Sequence, residues 1–284
     1  MASVLVTGAT GFIGRALCCS LRGQGEHVVE LSSSHGDIAN PATLDQIAQV
    51  HHVFHLAGRM FVPDSWNNPI EFQKVNVLGT ANILEFCRRH DARLTFVSSY
   101  LYGEPDKLPV SEACVLRPNN PYALSKHLAE QLCAFYAMHY GVSVTVIRPF
   151  NVFGYGQKPH FLIPQILKQV KEGLTIRVKD LAPRRDYIYV ADLVASLVRT
   201  LGGLRGYHVF NIGSGMSISV SEAIAVIQSV AGTKLSVVSE EEVRINEIND
   251  VYADISKARA LLGWLPNVTF RQGIERVIVE EANL

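Results

Sequence analysis

Short apolar runs alternate with amphipathic stretches along the first half of the chain. The runs at 3–7, 27–32, 52–56, 94–98 and 143–147 are rich in valine, isoleucine or leucine and are bounded by turn residues, which predicts strands. The stretches near 12–23, 41–49, 67–90 and 121–140 repeat apolar residues at helical spacing and predict helices. Apolar strands that alternate with helices are typical of a parallel sheet covered on both faces. We therefore expect an α/β fold with a doubly wound parallel sheet.

The pattern changes after Pro149. Glycine and proline become frequent, and the regular alternation of strands and helices lapses. Helical spacing returns near 161–172, 191–201, 217–231 and 270–282. These features predict a first domain over 1–150 and a smaller, mixed lobe over 151–284, some segments of which return to the central sheet.

The composition indicates a globular chain without a strong net charge. Of its 284 residues 48% are hydrophobic, and 26 lysines and arginines balance 26 aspartates and glutamates. This balance gives no overall attraction to nucleic acid or to an anionic membrane. No apolar run approaches the roughly 20 residues of a membrane span, and the start of the chain lacks the layout of a signal peptide. The five cysteines have no metal-site spacing with histidine, so we expect reduced thiols, a cytoplasmic location and no metal.

Three glycines follow the first predicted strand. Gly8, Gly11 and Gly14 form a GxxGxxG spacing between that strand and the next helix. Glycine lets the chain turn tightly and lets a pyrophosphate approach the backbone. The free N–H groups at the start of the helix also attract phosphate. Because the spacing falls in a strand–turn–helix unit, we expect 1–150 to be a Rossmann-type domain that binds NAD or NADP.

The end of the second predicted strand bears on the choice of dinucleotide. Many dinucleotide folds place an acid there, about 20 residues beyond the glycines, to bind the ribose 2′-hydroxyl. Here the sequence reads Ser32-Ser33-Ser34, and no arginine is near to bind a 2′-phosphate. Hydroxyls suit either ligand, so NAD and NADP both stay open, with a small preference for NADP. Asp37, just beyond, is a candidate for the adenine edge or a simple turn aspartate.

Two side chains with acid–base chemistry open the predicted helix at 121–140. Tyr122 and Lys126 are four residues apart and lie on one face of that helix. Asn120 is a good N-cap, and Pro121 is a good first residue. A nearby ammonium lowers the pKa of a phenol from about 10, and such a tyrosine exchanges a proton with a carbonyl or carbinol. Ser98, at the end of the fourth strand, lies where doubly wound folds bind ligands.

Together these residues resemble the extended short-chain dehydrogenase/reductases. Within them the sequence is most similar to the NAD(P)-dependent epimerases, dehydratases and 4-ketoreductases of nucleotide sugars. The resemblance covers nearly the whole chain. The matching segments are 8–14 (GATGFIG), 55–58 (HLAG), 76–80 (NVLGT), 98–103 (SSYLYG), 121–126 (PYALSK), 148–151 (RPFN), 185–190 (RDYIYV) and 262–264 (LGW).

The resemblance implies a site built from both halves of the chain. Ser98 would orient a substrate carbonyl, Tyr122 would be the acid–base group, and Lys126 would bind the nicotinamide ribose. The predicted cofactor-binding residues are Gly8, Gly11, Phe12, Ile13, Gly14, Ser32, Ser33, Asp37, Ile38, Leu56, Ala57, Gly58, Asn76, Tyr122, Lys126, Pro149 and Val152. The predicted substrate-binding residues are Ser99, Tyr100, Asn151, Phe161, Arg185 and Arg244. Among them, the asparagine and the arginines would bind a diphosphate, and the phenylalanine would lie at the nucleobase.

The sequence departs from the dehydratases directly after Ser98. Those enzymes carry acidic or other acid–base residues there, whereas this chain has Ser99 and Tyr100, which disfavours expulsion of water. We therefore expect oxidoreduction at C4 of a nucleotide-diphosphate sugar. The missing ribose acid favours a 4-ketoreductase with exchangeable cofactor. A 4-epimerase with tightly bound NAD and a non-catalytic dinucleotide sensor are the alternatives.

The resemblance also implies a homodimer. The predicted helices near 67–90 and 121–140 would pair with their mates in a four-helix bundle. The second helix carries Leu128, Leu132, Phe135 and Tyr136 at helical spacing. The alternative is that this face meets only its own sheet. We expect no nucleic-acid partner and no membrane partner.

Overall fold

One parallel sheet organises the fold. The computed structural model describes residues 3–241 and 247–282. The strands are β1 Ser3–Thr7, β2 His27–Leu31, β3 His52–His55, β4 Arg93–Val97, β5 Val144–Pro149, β6 Asn151–Phe153, β7 Ile176–Val178, β8 Arg184–Arg185, β9 Tyr187–Tyr189, β10 Tyr207–Ile212, β11 Ile218–Ser219, β12 Val237–Ser239 and β13 Asp250–Val251. Six of them pair in parallel in the order β10-β5-β4-β3-β1-β2. This arrangement confirms the predicted doubly wound parallel sheet.

Local signals explain where the helices begin. The helices are α1 Phe12–Gly23, α2 Val62–Asn67, α3 Pro69–Phe72, α4 Gly79–His90, α5 Pro121–Tyr140, α6 Leu162–Lys171, α7 Val190–Arg199, α8 Val220–Ala231, α9 Ser256–Leu262 and α10 Phe270–Ala282. The Asn120 side chain accepts the Ala123 N–H at 2.8 Å, and Pro121 is the first residue of α5. This cap fixes the start of the helix that carries the candidate catalytic pair.

Helices cover both faces of the sheet, as the apolar strands predict. In β1, Val4 and Val6 belong to the core cluster that α1 and α7 also enter. Leu5, between them, belongs to the cluster formed with α4 and α5. Side chains alternate between the two faces of a strand, so each strand contributes to two cores.

The helix predicted at 41–49 is not present. The structure has a single 3-10 turn at Pro41–Leu44 instead, with Asn40 as its cap. No strand lies between β2 and β3 in this described segment, so β2 is the edge of the sheet. The twenty residues at 32–51 make the crossover from β2 to β3 past β1, with this turn in place of a helix.

The helix predicted at 67–90 is broken into pieces. It comprises the end of α2, then α3, a π-helical turn at Gln73–Leu78, and α4. Asn68 leaves the helical region, with φ −134° and ψ 56°, because the proline ring of Pro69 disfavours helical geometry in the residue before it. The π-helical turn contains Asn76, and such turns are frequent at functional sites.

The second half of the chain forms small sheets beside the main one. Strand pairs or triplets form in the orders β11-β8-β13, β12-β7 and β6-β9, while β10 joins β5 in the main sheet. The predicted helix at 217–231 begins later, at Val220, because β11 occupies 218–219. We keep residue 150 as the proposed boundary between the lobes. No helix in the described part of the chain is long and apolar enough to cross a membrane.

Candidate active site

The turn between β1 and α1 has no room for side chains at its glycines. Gly8 has φ 70°, and a Cβ there would lie 2.8 Å from the Ala57 nitrogen. A Cβ on Gly14 would lie 2.1 Å from the Gly8 oxygen. Gly11 caps α1 without a side chain, so the first N–H groups of the helix stay available to an anion. The turn fits a pyrophosphate that lies against the backbone.

Apolar residues from the predicted cofactor set surround this turn. Phe12, Ile13, Leu56 and Val152 are half-buried against the core beside α1. Pro149 is the last residue of β5. These residues come from the start of α1 and from the carboxyl ends of the strands, where parallel sheets bind their ligands.

A buried hydrogen-bond network fixes the end of β3. Thr7 Oγ1 accepts the Ala57 N–H at 3.1 Å, so its hydroxyl donates to His55 Nδ1 at 2.7 Å. His55 Nε2 lies 3.1 Å from Thr80 Oγ1, whose own proton goes to the Asn76 carbonyl. Burial lowers the pKa of His55 to about 3, so the ring is neutral and donates through Nε2. His55 is therefore a structural residue beside the cofactor cleft.

The side chain of Asn76 joins the segment after β3 to α5. Its Oδ1 accepts the Arg59 N–H at 2.8 Å, and its Nδ2 donates to the Arg59 carbonyl at 3.0 Å and to Ser125 Oγ at 2.8 Å. A Cβ on Gly58 would lie 2.9 Å from Asn76 Oδ1 and 3.4 Å from Lys126 Nζ. These contacts put Gly58 and Asn76 next to the candidate catalytic lysine. That either residue contacts a cofactor stays a prediction.

The turn after β2 is built from hydroxyls and one imidazole. Ser32 Oγ lies 2.8 Å from Ser34 Oγ and 3.0 Å from His35 Nδ1. The same nitrogen accepts the Ser32 N–H at 3.2 Å, so the neutral ring has its proton on Nε2. Ser33 is exposed at the tip of the turn. The side-chain hydrogen bonds of the turn involve no carboxylate.

The two predicted adenine-side residues are fixed against neighbouring elements. Asp37 accepts the Ala39 N–H at 2.9 Å and lies 3.1 Å from Lys74 Nζ. The hydrogen bonds from Ala39 and Lys74 lower the pKa of Asp37. Ile38 is buried, and its carbonyl accepts a hydrogen bond from Asn82 of α4 at 3.0 Å. Asp37 is thus a turn aspartate, and its contact with adenine stays a prediction.

The candidate catalytic side chains meet at the carboxyl end of β4. Ser98 is 3% exposed, and its hydroxyl has no hydrogen-bond partner among the described residues. The Ser99 side chain lies close enough to the Tyr122 phenol to lower its pKa. Lys126 Nζ donates to the Val97 carbonyl at 2.8 Å. A buried hydroxyl without a protein partner in this place fits a substrate oxygen.

The pKa of Tyr122 differs from the sequence expectation. Burial raises it to about 12, and the Ser99 side chain lowers it by a smaller amount. The Lys126 ammonium instead faces the Val97 carbonyl and lies 4.7 Å from the centre of the Phe96 ring. The expected net lowering of the Tyr122 pKa is therefore wrong in this arrangement, because desolvation is the largest influence on the phenol.

Tyr100 and Asn151 already bond to each other on the substrate side. The Tyr100 hydroxyl donates to Asn151 Oδ1 at 3.2 Å, and its ring stacks on Phe150 at 5.1 Å between centroids. Asn151 Nδ2 donates to the Asp186 carbonyl at 3.2 Å. A diphosphate would share or replace these bonds.

Arg185 is paired inside the second lobe. Its guanidinium donates to the Arg184 carbonyl at 2.8 Å, also bonds the Ile248 carbonyl, and forms an ion pair with Glu247. The side chain is 14% exposed, so a diphosphate would compete with Glu247 for it. Arg244, the other predicted arginine, lies outside the described residues. Sequence reasoning missed Glu247, because an acid in a polar segment gives no signal of its partner.

Phe161 belongs to a stack of rings that joins the two lobes. Its ring lies 4.6 Å from that of His160, which lies 4.3 Å from that of Phe61. Phe61 follows β3, and His160 precedes α6, so the stack joins two segments that are far apart in sequence. Phe61 and His160 lie in the segments 59–65 and 153–161, which the sequence reasoning expects to line the substrate pocket without singling out either ring. The sequence feature that indicates these rings is an aromatic residue in each of two irregular segments.

The comparisons with known proteins agree with this geometry. The model of the NAD-dependent epimerase/dehydratase family matches residues 4–213, which contain the glycine turn and the candidate catalytic residues. The chain belongs to the NAD-dependent epimerase/dehydratase family. The resemblance drawn from the motifs is thereby confirmed, as is the expectation of an NAD(P)-dependent enzyme.

Members of the epimerase/dehydratase family with different activities are similar to this chain. GDP-6-deoxy-D-mannose reductase of Pseudomonas aeruginosa is 30% identical over 290 residues, which cover 97% of this chain and 95% of the relative. UDP-glucose 4-epimerase of Mycolicibacterium smegmatis is 30% identical over 306 residues, which cover 96% of each. The structure of RMD from Pseudomonas aeruginosa complexed with NADPH superimposes with a TM-score of 0.91 at 29% identity and 100% coverage of both chains.

Proposed function

We propose that the protein is an NAD(P)-dependent 4-ketoreductase of a nucleotide-diphosphate sugar. The observation that carries the proposal is the buried Ser98 hydroxyl, which has no partner among the described residues and lies at the sheet edge shared with Tyr122 and Lys126. A hydroxyl and a tyrosine at one point suit a carbonyl oxygen that gains a proton. The name of GDP-6-deoxy-D-mannose reductase, which is similar over 97% of this chain, supports this reaction class.

Each of the three residues has one task in the proposed reaction. Ser98 donates a hydrogen bond to the C4 carbonyl, and Tyr122 gives its proton to the same oxygen. The reduced dinucleotide, when bound, supplies the hydride. Because the pKa of Tyr122 is raised to about 12, the phenol is protonated at neutral pH and ready to donate. The positive charge of Lys126 stabilises the phenolate that results.

The turn after β2 supports a cofactor that exchanges. Its Ser32, Ser34 and His35 side chains bond to one another and not to a carboxylate. A carboxylate would bind the ribose of NAD strongly and repel a 2′-phosphate. Hydroxyls bind either ribose less strongly, which suits a reductase that releases its oxidised cofactor in each turnover.

The second lobe supports a diphosphate substrate. Asn151, Phe161 and Arg185 lie on residues 151–190, beyond β5. An amide and a guanidinium suit a diphosphate, because charged hydrogen bonds to phosphate are strong. We propose that binding exchanges Glu247 for phosphate at Arg185. Arg244 is part of the same proposal.

A 4-epimerase is the second candidate. The epimerase of Mycolicibacterium smegmatis is as similar in sequence as the reductase, at 30% identity each. Such an enzyme uses the same serine, tyrosine and lysine, but keeps its NAD and returns the hydride to the other face of the ketone. The two candidates therefore differ in how tightly they retain the dinucleotide.

The nucleotide content of the purified protein tests this difference. The protein is denatured, and the released nucleotide is identified and counted by mass spectrometry. We expect little bound dinucleotide and, after addition of NADPH or NADH, oxidation that depends on a 4-keto nucleotide sugar. NAD at one equivalent that resists dialysis would instead establish the epimerase. A protein that binds neither dinucleotide would contradict both.

We also propose a homodimer in the cytoplasm. Leu128 and Phe135 of α5 are 39% and 50% exposed, and Met138 on the same helix is 78% exposed. Trp66 and Ile70 of α2 and α3 are exposed as well, and both helices contact α5. Exposed apolar side chains on helices that pack together are typical of an interface. All five cysteines are free thiols, which agrees with a reducing compartment.

A further inference from the structure

A buried ion pair lies one helical turn beyond Lys126. Glu130 is 2% exposed, and its carboxylate accepts hydrogen bonds from Arg148 Nε at 3.0 Å and Nη2 at 2.5 Å. Arg148 belongs to β5 and is 5% exposed. Such a pair loses the hydration of two charges and often stabilises a fold no better than apolar residues of equal volume. Its place beneath the candidate active site points to a role beyond stability.

Further hydrogen bonds hold the pair in one position. Arg148 Nη1 donates to the Tyr102 hydroxyl at 2.9 Å, and that hydroxyl donates to Asn211 Oδ1 at 2.6 Å. Asn211 lies in β10, next to β5 in the main sheet. Arg148 is thus fixed by its own strand and by the neighbouring strand. The Glu130 carboxylate, bound through both oxygens, is fixed with it.

Lys126 has apolar and neutral neighbours except for Glu130. Its ammonium donates to the Val97 carbonyl and lies over the Phe96 ring, and the side chain is 5% exposed. It forms no direct ion pair within the described part of the chain. Residues four apart on a helix have Cβ atoms about 6 Å apart, and in a buried setting a charge acts strongly over such a distance. Glu130, although paired with Arg148, is therefore placed to act on the Lys126 charge, and its own charge raises the pKa of Lys126.

The remaining ionisable groups around Lys126 and Glu130 are neutral near neutral pH. Burial raises the pKa of the thiol and of the phenols, and it lowers the pKa of the imidazole. These groups are Cys133, Tyr102, Tyr122, Tyr207 and His55. Burial also lowers the pKa of Lys126, to about 8, while the charge of Glu130 raises it. Lys126 is thus the member of this group that titrates just above neutral pH.

We propose that Glu130 is a positioning residue that keeps the Lys126 ammonium charged at the carboxyl end of β4, with Arg148 fixing its carboxylate in place. Glu130 acts through Lys126 and not on the substrate. The catalytic task of Lys126 rests on the proposed function. The electrostatic effect of Glu130 on Lys126 does not depend on that function.

The variant Glu130→Gln tests the link by direct titration. The protein is labelled with ¹³C at the lysine Cε positions, and the Lys126 resonance is assigned by its loss in Lys126→Arg. We expect the midpoint of the Lys126 titration to fall by at least about one pH unit, as when an opposite charge a few ångströms away is removed. The alkaline limit of kcat/KM should move down by the same amount. A midpoint equal to that of the wild type would overturn the proposal.

Two further variants separate this effect from a loss of stability. Glu130→Gln combined with Arg148→Met removes both buried charges, so the fold recovers while the Lys126 midpoint stays low. A midpoint that returns to the wild-type value in this double variant would show that the unpaired Arg148 charge, and not the loss of Glu130, lowers the midpoint in the single variant, and would overturn the proposal. Glu112→Gln is the matched control, because its Oε1 accepts the Asn211 N–H at 2.8 Å, at the other end of the network. In the Glu112→Gln variant, Lys126 should titrate with the same midpoint as in the wild type.

The titration needs no substrate, so the two proposals fail in different ways. A lowered midpoint in a protein that reduces no nucleotide sugar would support the link and count against the proposed function. Reductase activity together with a Lys126 midpoint equal to that of the wild type would support the proposed function and overturn the link between Glu130 and Lys126.

Discussion

Burial sets the protonation states of the side chains at the carboxyl end of β4. Tyr122 has a pKa of about 12 and is a neutral phenol at any working pH. Lys126 has a pKa of about 8 and is mostly charged at neutral pH. A protonated phenol beside a cation is the state from which a ketone is reduced. Ser98 adds a hydroxyl without a partner in the described chain.

Replacing Tyr122 with phenylalanine should abolish the proton transfer and preserve the ring. We expect kcat to fall by about 10²–10⁴-fold, the usual contribution of a general acid. The affinity for NADPH, measured by fluorescence, should change little because Lys126 and the glycine turn remain. Tyr140→Phe, at the exposed end of the same helix, is the control. Loss of activity in both variants, or in neither, would argue against the assigned role.

The rate of ketone reduction should decline as the pH rises above neutral. Lys126 loses its proton around its pKa of about 8, and the neutral amine no longer stabilises the phenolate left by Tyr122. The alkaline limb of kcat/KM should therefore lie near this value, well below the pKa of the phenol itself. A pH–rate profile measured with saturating NADPH checks this. An alkaline limb that appears only above pH 10 would assign the loss of activity to another group.

At the scale of elements, the strand–turn–helix unit of β1 and α1 depends on missing side chains. Gly14 packs against the Gly8 carbonyl so closely that a Cβ would lie 2.1 Å from its oxygen. The turn therefore has one shape, which α1 extends with free N–H groups. The π-helical turn before α4 also has a specific local shape. It places the Asn76 side chain where it hydrogen-bonds Arg59 and Ser125.

The variant Gly14→Ala should disturb the phosphate turn. Its methyl group forces the turn and α1 apart, so we expect dinucleotide affinity to fall at least about tenfold, or about 1.4 kcal/mol. Isothermal titration with NADPH and NADH measures the change. Gly23→Ala, at the end of the same helix with no atom within 4 Å of the added carbon, should bind normally. Equal affinities in the two variants would refute a tight phosphate turn.

At the scale of the whole molecule, a few buried polar groups join segments that are far apart in sequence. Asp186 is fully buried between β8 and β9, and its carboxylate accepts from the backbone of Ser214, Gly215 and Ala253. These contacts connect the loop after β10 and the chain after β13 to the strand that carries Arg185. Three segments that surround Arg185 are thus held together by one carboxylate.

The substitution Asp186→Asn should loosen this lobe. The amide places N–H groups against backbone N–H donors, so we expect the free energy of unfolding to fall by about 1–3 kcal/mol. Urea denaturation followed by circular dichroism measures the loss. Asp180→Asn is the control, because that half-buried carboxylate accepts the Ala182 N–H at 2.9 Å and no other hydrogen bond from the residues the structure describes. A similar loss of unfolding free energy in both variants would contradict the stabilising role given to the buried Asp186 carboxylate.

The proposed dimer also belongs to this scale. Light scattering should give twice the chain mass of 31.3 kDa for the wild type, and Phe135→Glu should give the single-chain mass by placing a charge in the apolar surface. Val279→Glu, on an exposed site of α10, should leave the mass unchanged. A wild type that already has the mass of one chain would contradict the interface.

The sequence alone determined the features that depend on neighbours along the chain. The alternation of strands and helices, the glycine turn, the cap at Asn120 and the spacing of Tyr122 and Lys126 are local, and local sterics and hydrogen bonds fix them. Tertiary structure decided the features that depend on distant contacts. The raised pKa of Tyr122, the pairing of Arg185 with Glu247 and the buried pair of Glu130 with Arg148 all arise when packing removes water from groups far apart in sequence. The pattern of residue types along the chain does not show which of these groups lose their water on folding.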